Sequence, residues 1–167
     1  MLLRSSLTAL LLLACTLLPA QLPAYALFNA KGRPLAHKGM MKRLKQADII
    51  LFGELHNNAI AHWLQLEVTR ELVAAGPLVL GAEMIERDDQ TTLDRYLRGE
   101  IDQAAFDTLA RLWKNHASDY KPLVDLAKAH DLPFVAANVP RRYARAVNRG
   151  GFEALEPSSA SAPTMPF

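Results

Sequence analysis

The chain has 167 residues, half of them apolar, and its 19 lysines and arginines stand against 17 aspartates and glutamates for a formal net charge of +2. That near balance excludes a general polyanion binder, so nucleic acid is not an expected partner. The single cysteine, Cys15, excludes an intrachain disulfide framework, and the length suits one domain around one hydrophobic core.

Residues 1–26 read as a signal peptide. Arg4 precedes an apolar run over residues 7–19, and Ala24-Tyr25-Ala26 offers a small-x-small cleavage site. The run falls short of the roughly 20 apolar residues that a bilayer span needs. A second reading takes Leu12-Leu13-Ala14-Cys15 as a lipobox, with a lipid anchor on Cys15 as the membrane attachment. Residues 27–39 carry glycine, proline and basic residues without a period and are expected to lie on the surface.

Order begins near Met40, where Met41, Leu44 and Ala47 recur at helical spacing. Residues 48–53, an apolar run stopped by Gly53, predict a first buried parallel strand. Ile60, Trp63, Leu64, Val68 and Leu72 mark an amphipathic helix that Gly76-Pro77 terminates. A second strand follows over residues 78–83, then helices over 91–97 and 103–113. A helix over 120–130, a third strand over 132–138 and an arginine-rich helix opened by Pro140 complete the pattern. This alternation predicts an α/β fold, a mainly parallel sheet with helices on both faces, spanning residues 27–155. Residues 156–167, rich in Ser, Ala and Pro, read as a disordered tail.

In such a sheet, ligands bind beyond the carboxyl ends of the strands. Strand one delivers Glu54 and His56, strand two Glu83, and strand three Asn138 followed by Arg141 and Arg142 at a helix start. Two carboxylates, an imidazole and an arginine pair could hold a metal, activate a water or clamp an anionic ligand. Asn138 is equally suited to satisfying a turn. Arg145 and Arg149 continue from Arg141 at four-residue spacing and read as a solvated stripe. His62, six positions past His56, is expected to point elsewhere on its helix. His37, His116 and His130 are expected in or beside loops, in contact with water, and Trp63 and Trp113 to pack.

Three ordered blocks carry a family resemblance: Leu51-Phe52-Gly53-Glu54-Leu55-His56-Asn57; Gly81-Ala82-Glu83-Met84 with Arg87-Asp88-Asp89-Gln90; and Ala137-Asn138-Val139-Pro140-Arg141-Arg142-Tyr143-Ala144. With residues 120–123, they resemble the ChaN family of iron-regulated haem-binding proteins over residues 40–155. The resemblance implies an α/β fold, export to the periplasm or outer membrane, and haem binding linked to iron uptake. It makes Glu54, His56, Glu83, Tyr120, Asn138, Arg141 and Arg142 the candidate haem-binding residues. Tyr120 is included because tyrosinate, with histidine, methionine and cysteinate, holds haem iron, and the chain has no C-x-x-C-H for covalent attachment. The wider superfamily includes erythromycin-esterase-like proteins and the Tiki proteases. There the Gly-Glu-x-His block and a second glutamate serve catalysis or a metal, which implies Glu54, His56 and Glu83 as an alternative hydrolase centre. Family members continue beyond the arginine helix with a further histidine-bearing block, so the chain is expected to be an incomplete form of the family domain: a gene fragment, a frameshifted end, or a short form that pairs with another chain, as in self-association.

Overall fold

A computed structural model of the chain describes residues 23–155. Cys15, most of the predicted signal peptide and the predicted tail lie outside the described residues. The described residues divide into two compact units, one ending at Ala47 and the other beginning at Asp48.

In the first unit, Asn29 turns the chain back on itself. Its Oδ1 accepts from the Lys31 and Arg33 amides at 2.9 and 3.1 Å, and Gly32 takes the left-handed conformation that such a turn requires. A Phe28–Pro34 bridge closes the turn, so residues 27–39 are more ordered than their composition predicts. Helix α1 (His37–Leu44) follows and opens earlier than its apolar period predicts, which places His37 on a helix.

The second unit holds a parallel pair, β1 (Leu80–Glu86) and β2 (Phe134–Asn138), in the register Leu80↔Phe134, Gly81↔Val135 and Ala82↔Ala136. Its helices are α2 (Ala59–Val73), α3 (Gln90–Leu97), α4 (Gln103–Leu109), α5 (Lys121–Ala129) and α6 (Arg141–Gly150), with a π-helical turn His116–Tyr120 before α5. The mixed α/β class and the parallel pairing are those the sequence predicts. Alternation along the strands decides what they bury. Ala82, Met84, Phe134 and Ala136 face a core shared with Leu93 and Tyr96 of α3, Phe106 of α4, and Val124 and Ala127 of α5. Gly81, Glu83, Val135 and Ala137 face the other way and are exposed, as an incomplete form of the predicted α/β domain would leave them.

Residues 48–53 are not a strand, although the pattern predicts one. Burial alternates along them, with Ile50 and Phe52 half-buried while Ile49 and Leu51 are 80% and 92% exposed. The alternation that the apolar pattern favours is thus present without a ladder. A strand needs a partner edge at hydrogen-bonding distance, and sequence pattern supplies only half of that requirement.

The outer edge of β2 is closed by a side chain. Gln90 donates from Nε2 to the Phe134 carbonyl at 2.8 Å and accepts at Oε1 from the Ala136 amide at 2.7 Å. One carboxamide thus meets the two backbone groups that a neighbouring strand's peptide would meet, which blunts an edge otherwise open to pairing. Gly99, at φ +73°, closes α3 in the left-handed conformation. Helix α4 stops at Leu109, short of its predicted end, because the Arg111 amide is drawn to Asp89 Oδ2 at 3.0 Å.

The one-sided core carries a prediction. Phe106, fully buried, should cost about 3–5 kcal/mol of unfolding free energy when replaced by alanine, by lost burial and the cavity left behind. Val135→Ala on the open face should stay within about 0.5 kcal/mol. Urea denaturation of the two variants measures the contrast, and equal losses would mean that both sheet faces are packed.

Candidate functional site

The turn that bears Glu54 is shaped by a helix cap. Asn58 Oδ1 accepts from the Ile60 and Ala61 amides, both at 3.0 Å, so α2 begins at Ala59 and residues 54–58 form a turn outside it. His62 therefore sits on the first helical turn and reaches back towards Glu54. The six-residue separation from His56 is not a helical spacing at all, and the expectation that His62 points elsewhere fails for that reason.

Glu54 is the centre of the resulting cluster, with its side chain 8% exposed. The Tyr120 hydroxyl donates to its Oε1 at 2.8 Å, and His56 Nδ1 lies 3.2 Å from the same oxygen. His62 Nδ1 lies 3.1 Å from Oε2, off the line of a hydrogen bond, which leaves both atoms buried without a partner. On its other side, His62 Nε2 lies 3.2 Å from the His56 carbonyl and 3.7 Å from Asp119. Asn115 completes the frame by donating from Nδ2 to the His56 carbonyl and to Asp119 Oδ2, both at 2.7 Å. Edge-to-face ring contacts pack the cluster: His56 on Trp113 and His62 on Tyr120, each with centroids 4.8 Å apart, and Trp113 on Tyr120 at 5.8 Å.

Electrostatics fix who donates. Burial, and then the Glu54 carboxylate, push the Tyr120 phenol up to about 12, so at neutral pH it is a neutral hydroxyl that donates to Glu54. The hydrogen bond from Asn115 holds the Asp119 carboxyl below the usual range. A carboxylate only accepts, so the His56 proton that faces Glu54 is on Nδ1, and Nε2 is the ring nitrogen turned away from it. The His56 side chain is 54% exposed, and Nε2 has no partner among the described residues. This is how a carboxylate orients an imidazole for metal coordination.

The remaining predicted residues gather elsewhere. Strand β1 runs on past its predicted end to Glu86, which leaves Glu83 in mid-strand with its side chain on the open face. Glu86 takes the strand-end position. Buried, it accepts at Oε2 from Arg111 Nη1 at 2.7 Å and from the Arg141 amide at 2.9 Å, with the Arg141 guanidinium 4.0 Å from Oε1. Arg142 is bonded to Asp88 through both terminal nitrogens. Asn138 ends β2 opposite Glu86. These residues thus form two hydrogen-bonded networks, Glu54 with His56, His62 and Tyr120, and Glu86 with the arginines. No hydrogen bond or ion pair among the described residues joins them, and none of their His, Asp and Glu groupings is arranged to hold a metal ion.

Sequence reasoning missed His62, Asn115, Asp119, Glu86 and Arg111. Asn58 was the available signal for His62, since a cap there fixes the helix start. The others depend on contacts across 25 or more residues, which no local pattern encodes.

His116, expected in water, is buried against Phe106 with Nε2 unpartnered, and burial lowers its pKa below the usual 6.5. The unfolded chain then binds the proton first, so stability should be complete above about pH 6.5 and fall as pH drops towards the folded value. His116→Leu should lose this part of the acid sensitivity. Urea midpoints at pH 7.5 and 5.5 test it, and identical pH dependence in the two proteins would contradict it.

No protein among the curated relatives matches the chain. The solved structure described as cofacial haem binding to ChaN of Campylobacter jejuni aligns with a TM-score of 0.62 at 20% identity, over 75% of this chain and 52% of that one, a likeness of fold. The chain therefore spans about half the length of that protein. The family model described as "Haem-binding uptake, Tiki superfamily, ChaN" matches residues 40–166, and the chain belongs to that family.

Proposed function

We propose that the chain binds haem at the Glu54 cluster, with His56 presented to the iron, and that it serves haem or iron uptake as an exported protein of the cell envelope. The observation that carries the reading is the His56 ring: oriented through Nδ1 by a buried carboxylate, half-exposed, and with its Nε2 unengaged among the described residues. The donor chemistry fits, since a neutral imidazole is a haem-iron ligand. Haem also needs apolar surface for its flat macrocycle, and Leu55 and Ile60, next to His56 in the turn and on the first turn of α2, are both exposed.

When bound, haem would bring an iron with an open coordination position and two carboxylates on an apolar disc. Glu54 would orient His56 and strengthen its Nε2 as a donor. Tyr120, only 2% exposed, would act through Glu54. Arg141 and Arg142, held by Glu86 and Asp88 yet largely exposed, keep N–H groups suited to propionates. The hydrolase alternative would use Glu54, His56 and Glu83, of which Glu83 is exposed in mid-strand. Export rests on the leader and the family resemblance.

Titrating haemin into the purified chain should give a saturable Soret shift at a defined ratio. His56→Ala should abolish it, and Glu54→Gln should weaken binding by about 10–100-fold. A spectrum identical to free haemin would remove the proposal, and full binding by His56→Ala would move the ligand to another residue.

A further inference from the structure

The connection between α4 and the π-helical turn, residues 110–115, holds His56 at two points. Asn115 Nδ2 donates to the His56 carbonyl at 2.7 Å, and the Trp113 ring meets the imidazole edge to face with centroids 4.8 Å apart. Residues 48–58 belong to no helix or strand, so no backbone ladder locates His56 and side chains from elsewhere must do so. At its other end the connection is tied to the end of β1 and the short 3-10 turn Arg87–Asp89 after it. The Arg111 amide donates to Asp89 Oδ2 at 3.0 Å, and the Arg111 guanidinium donates to the buried Glu86 at 2.7 Å. The Asp89 contact also decides where α4 ends. The Ala110 amide still bonds back to the Phe106 carbonyl at 3.0 Å, and the next bond of that series would join the Arg111 amide to the Asp107 carbonyl. Asp89 takes that amide instead, and Ala110 is extended at φ −91° and ψ 149°. With the amide released, α4 is free to continue. A helix rises about 1.5 Å per residue against about 3.3 Å in extended chain, so a further turn would draw Trp113 and Asn115 away from His56.

We infer that the Asp89–Arg111 contact is a helix stop that positions His56 for its ligand, acting through Asn115 and Trp113. The identity of that ligand rests on the haem reading, whereas the positioning rests on the contacts alone. Glu54 turns the ring, and Asn115 holds the backbone that carries it, so the two act on one residue from opposite ends. The hydrogen bond that Asn115 also gives Asp119, at 2.7 Å, fixes the direction of its amide. Asn115 and Asp89 are thus positioning residues, and neither needs to touch haem.

Nitrogen-15 NMR of the haem-free chain at about pH 8.5, above the usual imidazole range, reads which ring nitrogen of His56 carries the proton. The native chain should carry it on Nδ1, facing Glu54. Asn115→Ala and Asp89→Ala should each let it redistribute towards Nε2, and should weaken haemin binding by about 10–100-fold and about 2–30-fold respectively. Asp89→Asn keeps an oxygen acceptor for the Arg111 amide and should behave as the native chain. A native ring protonated on Nε2, an unchanged tautomer in Asn115→Ala or Asp89→Ala, or an Asp89→Asn chain that behaves as Asp89→Ala would overturn the inference. Should Asp89→Ala fail to fold, the Asn115→Ala tautomer decides it. A native chain that leaves haemin free would remove the haem reading only, since the tautomer comparison is made without haem.

Discussion

A carboxylate withdrawn from water organises the turn that bears Glu54 and His56. Burying an ionised group costs several kcal/mol unless hydrogen bonds replace its hydration. Glu54 meets that demand at Oε1, which accepts from Tyr120 and lies beside His56, while Oε2 lies against His62 without a hydrogen bond. The Tyr120 contact joins a turn at residues 54–58 to a π-helical turn 66 residues away, and so fixes both. His62 and Asn115 repeat the connection from opposite sides by converging on the His56 carbonyl. The turn is thereby rigid where it touches the body and open at His56, a combination that ligand binding by an imidazole requires.

The same logic recurs at the ends of the sheet. Glu86, buried at the end of β1, collects Arg111 from beyond α4 and the first amide of α6, so one carboxylate ties the strand to two segments that follow it. Gln90 satisfies the edge of β2 with its side-chain amide. Polar side chains thus perform work that further strands or helices perform in larger sheets, and the price is a sheet with one bare face.

Much of the fold was legible in the sequence because it depends on short-range physics. The apolar period of residues 60–73, the Gly76-Pro77 stop and Pro140 ahead of the arginine helix each act within a few residues, and α2 and α6 lie where these signals place them. The two strands that formed were marked by apolar runs between breakers. Residues 48–53 carried an equal mark and remain unpaired, since the pattern states a preference for extension and is silent on whether an edge is available.

The sequence by itself determined the class, the helices and the chemical inventory: a carboxylate and an imidazole beside a glycine, a second acidic strand and an arginine helix. Tertiary structure alone decided the grouping. It put His62 and Tyr120 with Glu54, moved the strand-end role from Glu83 to Glu86, and gave Arg141 and Arg142 carboxylate partners. The reason is that a strand's side chains alternate between faces with a period of two. A strand end displaced by a few residues changes which carboxylate terminates it, and no local signal fixes that end to better precision.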